Sequence, residues 1–206
     1  MSERIQNKFS PSIITDDGRF SGYGAVFGNV DSHRDVIERG AFLSSLAAWK
    51  TRGKLPPMRL MHGSAGNPFQ HDDLPVGKWL DMREDTKGLW VEGQLLALDT
   101  DQGRRLRSLM AASCLDGLSI GWIPRKTRAG TGRIKRYLVE VDLRELSLVD
   151  EPSNDLARVA PLSSSDMAFE RLRDSLATVK TATSSNYEAA AARLRTAIQR
   201  VAAEQK

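Results

Sequence analysis

The sequence predicts a mainly β domain with a few helices, a mainly antiparallel sheet or barrel followed by a helical tail, and three observations carry that prediction. Short strand-like runs recur from Phe20 to Val149 with two amphipathic stretches inserted and no regular βαβ repeat, which argues against a doubly wound sheet. After Pro152 and Pro161 the composition changes, and Ser163-Ser164-Ser165 opens an alanine-rich segment poor in strand formers. A chain of 206 residues is long enough to bury one core and still carry an appendage. The expected organisation is an N-terminal arm over 1–17, a β domain over 18–162, and a linker with a helical tail over 163–206.

Each element has its own signal. Residues 1–17 are polar and lack periodicity, so they read as an arm or a weak first strand. Phe20 to Phe27 alternates aromatic and small residues, a strand. Gly40 to Trp49 places Phe42, Leu43, Leu46 and Trp49 at helical spacing, which predicts a short helix with those side chains inward. Pro56-Pro57 returns the chain to extended geometry, and Met58 to His62 reads as a strand with His62 at its end. Val76–Arg83 and Leu89–Leu95 flank Glu84-Asp85-Thr86-Lys87-Gly88, the signature of a hairpin. Thr100 to Ala112 offers Leu106, Leu109 and Met110 behind a cap at Asp99 or Thr100, a second helix. A strand holding Gly117-Leu118-Ser119-Ile120-Gly121 follows and is expected to close at Pro124. Ile134 to Val149 is one bent strand or two short ones. In the tail, Ser185 and Glu188 form a capping box before Tyr187, Ala191, Leu194, Ile198 and Val201, which recur at helical intervals.

Composition excludes several classes. Hydrophobic residues make up 40% and charged residues 27% of the chain, ordinary for a soluble globular protein, and no apolar run approaches the roughly 18 residues of a membrane span. The polar start Met1-Ser2-Glu3-Arg4 is unlike a signal peptide, so a bacterial cytoplasm is the expected compartment and no membrane partner is expected. Cys114 is the only cysteine, which rules out an intramolecular disulfide and a zinc site built on several thiolates. A lone cysteine five residues before Ser119 reads as a small buried hydrophobe rather than a nucleophile. The net charge of +4 is modest. Its basic excess, in Arg104-Arg105-Leu106-Arg107 and from Arg125 to Arg136, reads as a solvated face, because no nucleic-acid motif accompanies it.

The chemistry centres on Ser119. Serine is a poor nucleophile until a base takes its proton, and the chain has only three histidines, His33, His62 and His71, all preceding it. That order excludes the G-x-S-x-G nucleophile elbow, whose partners follow in the order serine, acid, histidine and whose serine opens a helix. A serine flanked by glycines in a strand is otherwise a small residue at a crowded place, where another backbone, such as a substrate's, approaches closely. Asp31-Ser32-His33-Arg34-Asp35 looks like a metal cluster but lacks further spaced ligands, so a polar turn is expected and no metal or other cofactor. A metal-dependent hydrolase using His33 or His71 is the contrasting chemistry.

The run from Gly22-Tyr23-Gly24-Ala25-Val26-Phe27-Gly28 through Asp31-Ser32-His33-Arg34-Asp35 to Gly40-Ala41-Phe42 resembles the opening signature of the tailed-phage prohead (capsid maturation) serine proteases. Leu60-Met61-His62, Pro75-Val76-Gly77, Gly117-Leu118-Ser119-Ile120-Gly121 and Glu145-Leu146-Ser147-Leu148-Val149 follow in register, so the resemblance spans residues 18–162. That family is similar in fold to the herpesvirus assemblins, which implies an antiparallel β-barrel with surrounding helices. The resemblance makes Ser119 the nucleophile, His62 the general base and Glu145 the third member, where assemblins have a second histidine. A strand end suits a base that must be held rigidly, whereas His71 with Asp72-Asp73 lies in a polar, loop-like segment. Asp142 and Glu140 share the Glu145 segment, and alternation puts them on the opposite face.

The implied function is that of a serine endopeptidase of a tailed phage or prophage, cutting scaffold and major capsid protein precursor inside the procapsid, and trimming its own tail. Self-association is implied too, since assemblins are activated by dimerisation, although no interface is legible. The loop Pro152 to Arg158 is the candidate oxyanion region by analogy. The rival of a different class is a catalytically inactive capsid assembly or scaffolding protein that keeps the barrel and works through its tail.

Overall fold

The computed structural model describes residues 13–63 and 74–163, with single helical residues at 172, 195, 196 and 199. The chain divides into two compact units, 1–161 and 162–206. The predicted capping box at Ser185 lies outside the described residues, as does the helix beyond it apart from residues 195, 196 and 199.

Among the described residues, seven strands form one curled sheet. β1 (Arg19–Val26) runs antiparallel to β5 (Gly88–Leu95), which forms the predicted hairpin with β4 (Gly77–Glu84). The turn is fixed by Asp85, whose carboxylate accepts the backbone N–H of Lys87 at 2.7 Å and of Gly88 at 2.9 Å. β4 continues into β3 (Met58–Leu60) through the single register pair Met58 and Gly77. β3 lies beside β7 (Arg136–Val149), the long strand that organises the rest.

One edge of β7 is paired along its length with β6 (Gly117–Ala129), antiparallel. The other edge is shared in series: β2 (Asp35–Ile37) pairs with Arg136 to Leu138, and β3 with Leu146 to Leu148. Both of these pairings are parallel, so the sheet, mainly antiparallel as expected, also holds two short parallel pairings that the sequence did not indicate. The reason is local. Two three-residue strands are too short to dominate a sequence pattern, and each enters beside β7 only after a long excursion of the chain.

Between them the β7 edge is satisfied by α1 (Leu43–Thr51) and the turn before it. The Leu143 N–H donates to Ser45 Oγ at 2.9 Å, Trp49 Nε1 donates to the Leu143 carbonyl at 2.8 Å, and the Val141 N–H donates to the Ala41 carbonyl at 3.0 Å. The helix therefore substitutes for a strand. Its start carries no side-chain cap of its own; Glu84, at the end of β4, accepts from the N–H groups of Gly40 and Phe42 at 2.8 and 2.7 Å. Phe42 is buried as expected, but Leu43, read as inward-facing, is 60% exposed, because the helix begins one position after Phe42.

The gap between β6 and β1 is bridged by residues 157–160. The Leu118 N–H donates to the Ala157 carbonyl at 2.8 Å, the Tyr23 N–H to the Arg158 carbonyl at 3.1 Å, and the Ala160 N–H to the Ser21 carbonyl at 2.8 Å. Gly22 permits this approach, since a Cβ there would overlap the Arg158 carbonyl oxygen. The interior is filled by Phe20, Met58, Leu118, Leu138, Leu146 and Leu148, all almost fully buried. Ile13 and Ile14, which fall within the expected arm over 1–17, are buried in the same core. α2 (Asp101–Ala111) buries Leu106 and Met110 and is capped by Thr100 Oγ1, which accepts the Gly103 N–H at 3.1 Å.

β6 outruns its predicted end. It continues through Pro124 to Ala129, with a register shift just after the proline, and among the described strands it pairs only with β7. An outer edge of this kind tolerates a residue that cannot donate. The basic stretch from Arg125 to Arg136 thus spans the end of β6, a turn and the start of β7. Three of its six cations are paired within the chain: Arg125 with Asp142, Arg128 with Glu38, and Arg136 in a two-pronged pair with buried Asp35, 2.8 Å for each bond.

Candidate active site

Ser119 sits on β6 directly opposite Ser147 of β7, and it is 8% exposed. The glycines around it serve the chain's own packing. A Cβ on Gly117 would lie 2.7 Å from the Val149 carbonyl oxygen, and one on Gly121 would overlap the Glu145 carboxylate. The expected close approach of another backbone is found at Gly117, where it is the chain's own strand at Val149; at Gly121 the space is taken instead by the Glu145 side chain.

His62 lies two residues beyond the end of β3, not on the strand itself. Met61, His62 and Gly63 all have left-handed backbone angles, φ 50°, 62° and 61°. For the two non-glycine residues this is a strained conformation that persists only where surrounding contacts fix it. Two such contacts come from β7. The Met61 N–H donates to the Leu148 carbonyl at 2.9 Å, and the His62 N–H donates to Ser147 Oγ at 3.1 Å.

Glu145, also on β7, meets the imidazole. Its Oε1 lies 2.7 Å from His62 Nδ1, and its Oε2 accepts from Ser147 Oγ at 2.6 Å. The carboxyl is nearly buried while the His62 side chain is about one-third exposed. An ionised carboxylate is an acceptor only, so this pairing puts the ring proton on Nδ1 and leaves Nε2 with its lone pair. Ser119 and His62 line one cleft of about 100 Å³, and no hydrogen bond joins them directly in this arrangement. The cleft is small beside the roughly 300–1,000 Å³ of sites that engulf a ligand, so a large substrate would lie across it. Gly24, Asp31, His33 and Ser153 also line the cleft.

The competing groups are placed elsewhere. Asp142 faces outward to Arg125 and Arg144, and its hydrogen bond from Arg125 holds its carboxyl below the usual range. Glu140 shares that face and is opposed by Lys126 across the ladder. His33 Nε2 lies 3.2 Å from Ser153 Oγ, and both residues line the cleft. Asp31 accepts the N–H groups of His33 and Asp35, closing the polar turn, and burial pushes its carboxyl up. His71, Asp72 and Asp73 lie outside the described residues. Cys114, expected to be buried, is exposed in the turn after α2. Arg158 donates to Asp116 at 2.6 Å, while Ser153 and Asn154 of the same loop line the cleft.

Ser147 was not singled out from the sequence, although it contacts both Glu145 and the His62 backbone. The signal was present, since two residues two apart on a strand share a face and Glu145 was already a candidate.

Residues 7–171 match the family model described as caudovirus prohead serine protease. Over 169 residues the chain is 36% identical to the prohead protease of Enterobacteria phage HK97, covering 78% of this chain and 68% of that one. Among solved structures it is similar to the bacteriophage T4 capsid assembly protease, with a TM-score of 0.49 and 13% identity over 64% of this chain and 80% of that one. It is also similar to the KSHV protease bound to a hexapeptide phosphonate inhibitor, with a TM-score of 0.45 and 13% identity over 87% of each chain.

Proposed function

The chain belongs to the caudovirus prohead serine protease family, and from that premise we propose that it is an endopeptidase working by acyl-enzyme chemistry at Ser119, His62 and Glu145. Ser119 Oγ attacks the carbonyl carbon of the scissile peptide as its proton passes to His62 Nε2; the imidazolium then protonates the leaving amine. Water, deprotonated by the same nitrogen, cleaves the ester and frees Ser119. Glu145 fixes the tautomer and offsets the charge on the ring during both halves. The observation that carries this reading is the 2.7 Å contact between His62 Nδ1 and Glu145 Oε1, on a histidine that shares its cleft with Ser119.

The substrates in this reading are the scaffold and the major capsid protein precursor inside the phage procapsid, assembled in the host cytoplasm. The family description and the name of the HK97 relative support that assignment. The curled sheet serves as a barrel of the assemblin type, and the tail over 163–206 is a helical appendage that docks on assembly partners and is trimmed by the enzyme. The chemistry requires no cofactor, and backbone N–H groups of the loop Pro152 to Arg158 are the candidate donors to the oxyanion. Co-expression of the capsid precursor from the same phage genome with the native chain or with Ser119→Ala tests the reading. Processing with the native chain and none with the variant is expected; equal processing, or none with either, would favour the inactive assembly protein.

A further inference from the structure

We propose that Ser147 is a positioning residue of this reaction, the group that ties the Glu145 carboxylate and the His62 backbone into one fixed arrangement; the inference rests on the assignment of Ser119, His62 and Glu145 above. Ser147 is completely buried. Its hydroxyl hydrogen goes to Glu145 Oε2 at 2.6 Å, and its oxygen receives the His62 N–H at 3.1 Å. Glu145 Oε1 closes the circuit on His62 Nδ1 at 2.7 Å. The histidine is therefore held twice, at its ring through the carboxylate and at its main chain through the serine.

A buried serine in a sheet ordinarily satisfies itself on a neighbouring carbonyl. This one spends both its donor and its acceptor on the groups proposed to run the chemistry. The His62 backbone needs such a tie, because its φ of 62° is one that residues with a Cβ rarely adopt. Ser119 and Ser147 thus stand opposite each other with different tasks: the first lines the cleft, and the second is sealed beneath it.

The hydroxyl also has an electrostatic effect. By donating to Oε2 it shares the negative charge of Glu145 and moderates the pull of Oε1 on the ring proton. Removing it concentrates that charge toward His62, so the imidazolium survives to higher pH. Among the described residues, the titratable groups around the ring are Glu145 from β7, in contact with it, and Asp31 and His33, which line the same cleft; substitution at Ser147 leaves all three in place.

The test uses the full-length chain with Ser147→Ala, Ser147→Thr and Ser147→Cys, each checked by thermal melting. A fluorophosphonate probe reports the first readout: the Oγ–P bond forms, fluoride leaves, the serine proton passes to His62, and the rate is followed by intact mass against pH. The second readout needs no turnover: ¹⁵N NMR titration of His62 in a Ser119→Ala background. Loss of the hydroxyl in Ser147→Ala is expected to slow phosphonylation roughly ten- to a hundredfold and to raise both the acid limb and the NMR midpoint by roughly half a pH unit. Threonine, which keeps the donor, restores both, and the weakly donating cysteine falls between. An unchanged NMR midpoint in folded Ser147→Ala or Ser147→Cys overturns the proposal, whatever the rate. If native protein is not labelled at Ser119, the nucleophile assignment fails, while the NMR midpoint still decides whether Ser147 positions His62.

Discussion

His62 and Glu145 are 83 residues apart in the chain, yet their side chains meet at 2.7 Å because β3 and the second half of β7 run side by side. The parallel pairing of Leu60 with Leu148 brings the turn after β3 over the β7 face that carries Glu145 and Ser147. Everything proposed about the site depends on that alignment.

Replacing Glu145 by glutamine keeps volume but lets an amide N–H point at Nδ1, which favours the wrong tautomer. The expected loss in phosphonylation or cleavage rate is of order 10³–10⁴, with stability little changed. Rate measurements alongside urea melts check this. A loss below tenfold would contradict the role given to Glu145.

Gly121→Ala tests the packing of the carboxylate. The added methyl overlaps Glu145 and has no open space to move into, so a stability loss of about 1–3 kcal/mol is expected together with loss of activity. Restored activity in the double variant that also shortens Glu145 to aspartate would locate the defect in the overlap itself.

The Asp35 and Arg136 pair predicts an asymmetry. Asp35 is 1% exposed, whereas the Arg136 side chain keeps about one-third of its surface. Arg136→Ala strands a buried carboxylate and should cost more than Asp35→Ala, which leaves a cation with access to water; roughly 3 against 2 kcal/mol is expected from urea unfolding. The reverse order would show that the strand geometry of β2, not the charge, sets the stability.

Asp142 gives a pH dependence with a definite sign. Its folded-state acidity is increased chiefly by the hydrogen bond from Arg125, so its contribution is fully present above the ordinary value of 3.8 and is lost as pH falls through the lower folded value. The stability difference between native protein and Asp142→Asn should accordingly be constant from pH 7 to about pH 5 and shrink toward zero at lower pH. Chemical unfolding across that range measures it, and a difference that grows on acidification would contradict the assignment.

Much of this was legible in the residues. The hairpin of β4 and β5 announced itself through Asp85 and Gly88, and the second helix through Thr100 and its apolar stripe, because both signals are local. Alternation along β7 already separated Glu145 from Asp142 and Glu140. What stayed hidden is non-local or conformational. Nothing in three-residue strands declares that β2 and β3 pair parallel to β7, and nothing at Met61 and His62 marks a left-handed turn. Pro124 looked like the end of a strand because its tolerance depends on an edge that only the assembled sheet defines. Ser147 was hidden by its ordinariness, a small residue among leucines whose two partners arrive from elsewhere.

The central claim, that Ser119 is a nucleophile activated by His62, is tested most directly by treating the native chain, Ser119→Ala and His62→Ala with a fluorophosphonate and mapping the adduct by peptide mass. The account predicts a single adduct on Ser119 in the native chain, none in Ser119→Ala, and a rate at least a hundredfold lower in His62→Ala. An adduct on another residue, or equal labelling of Ser119 with and without the imidazole, would contradict it.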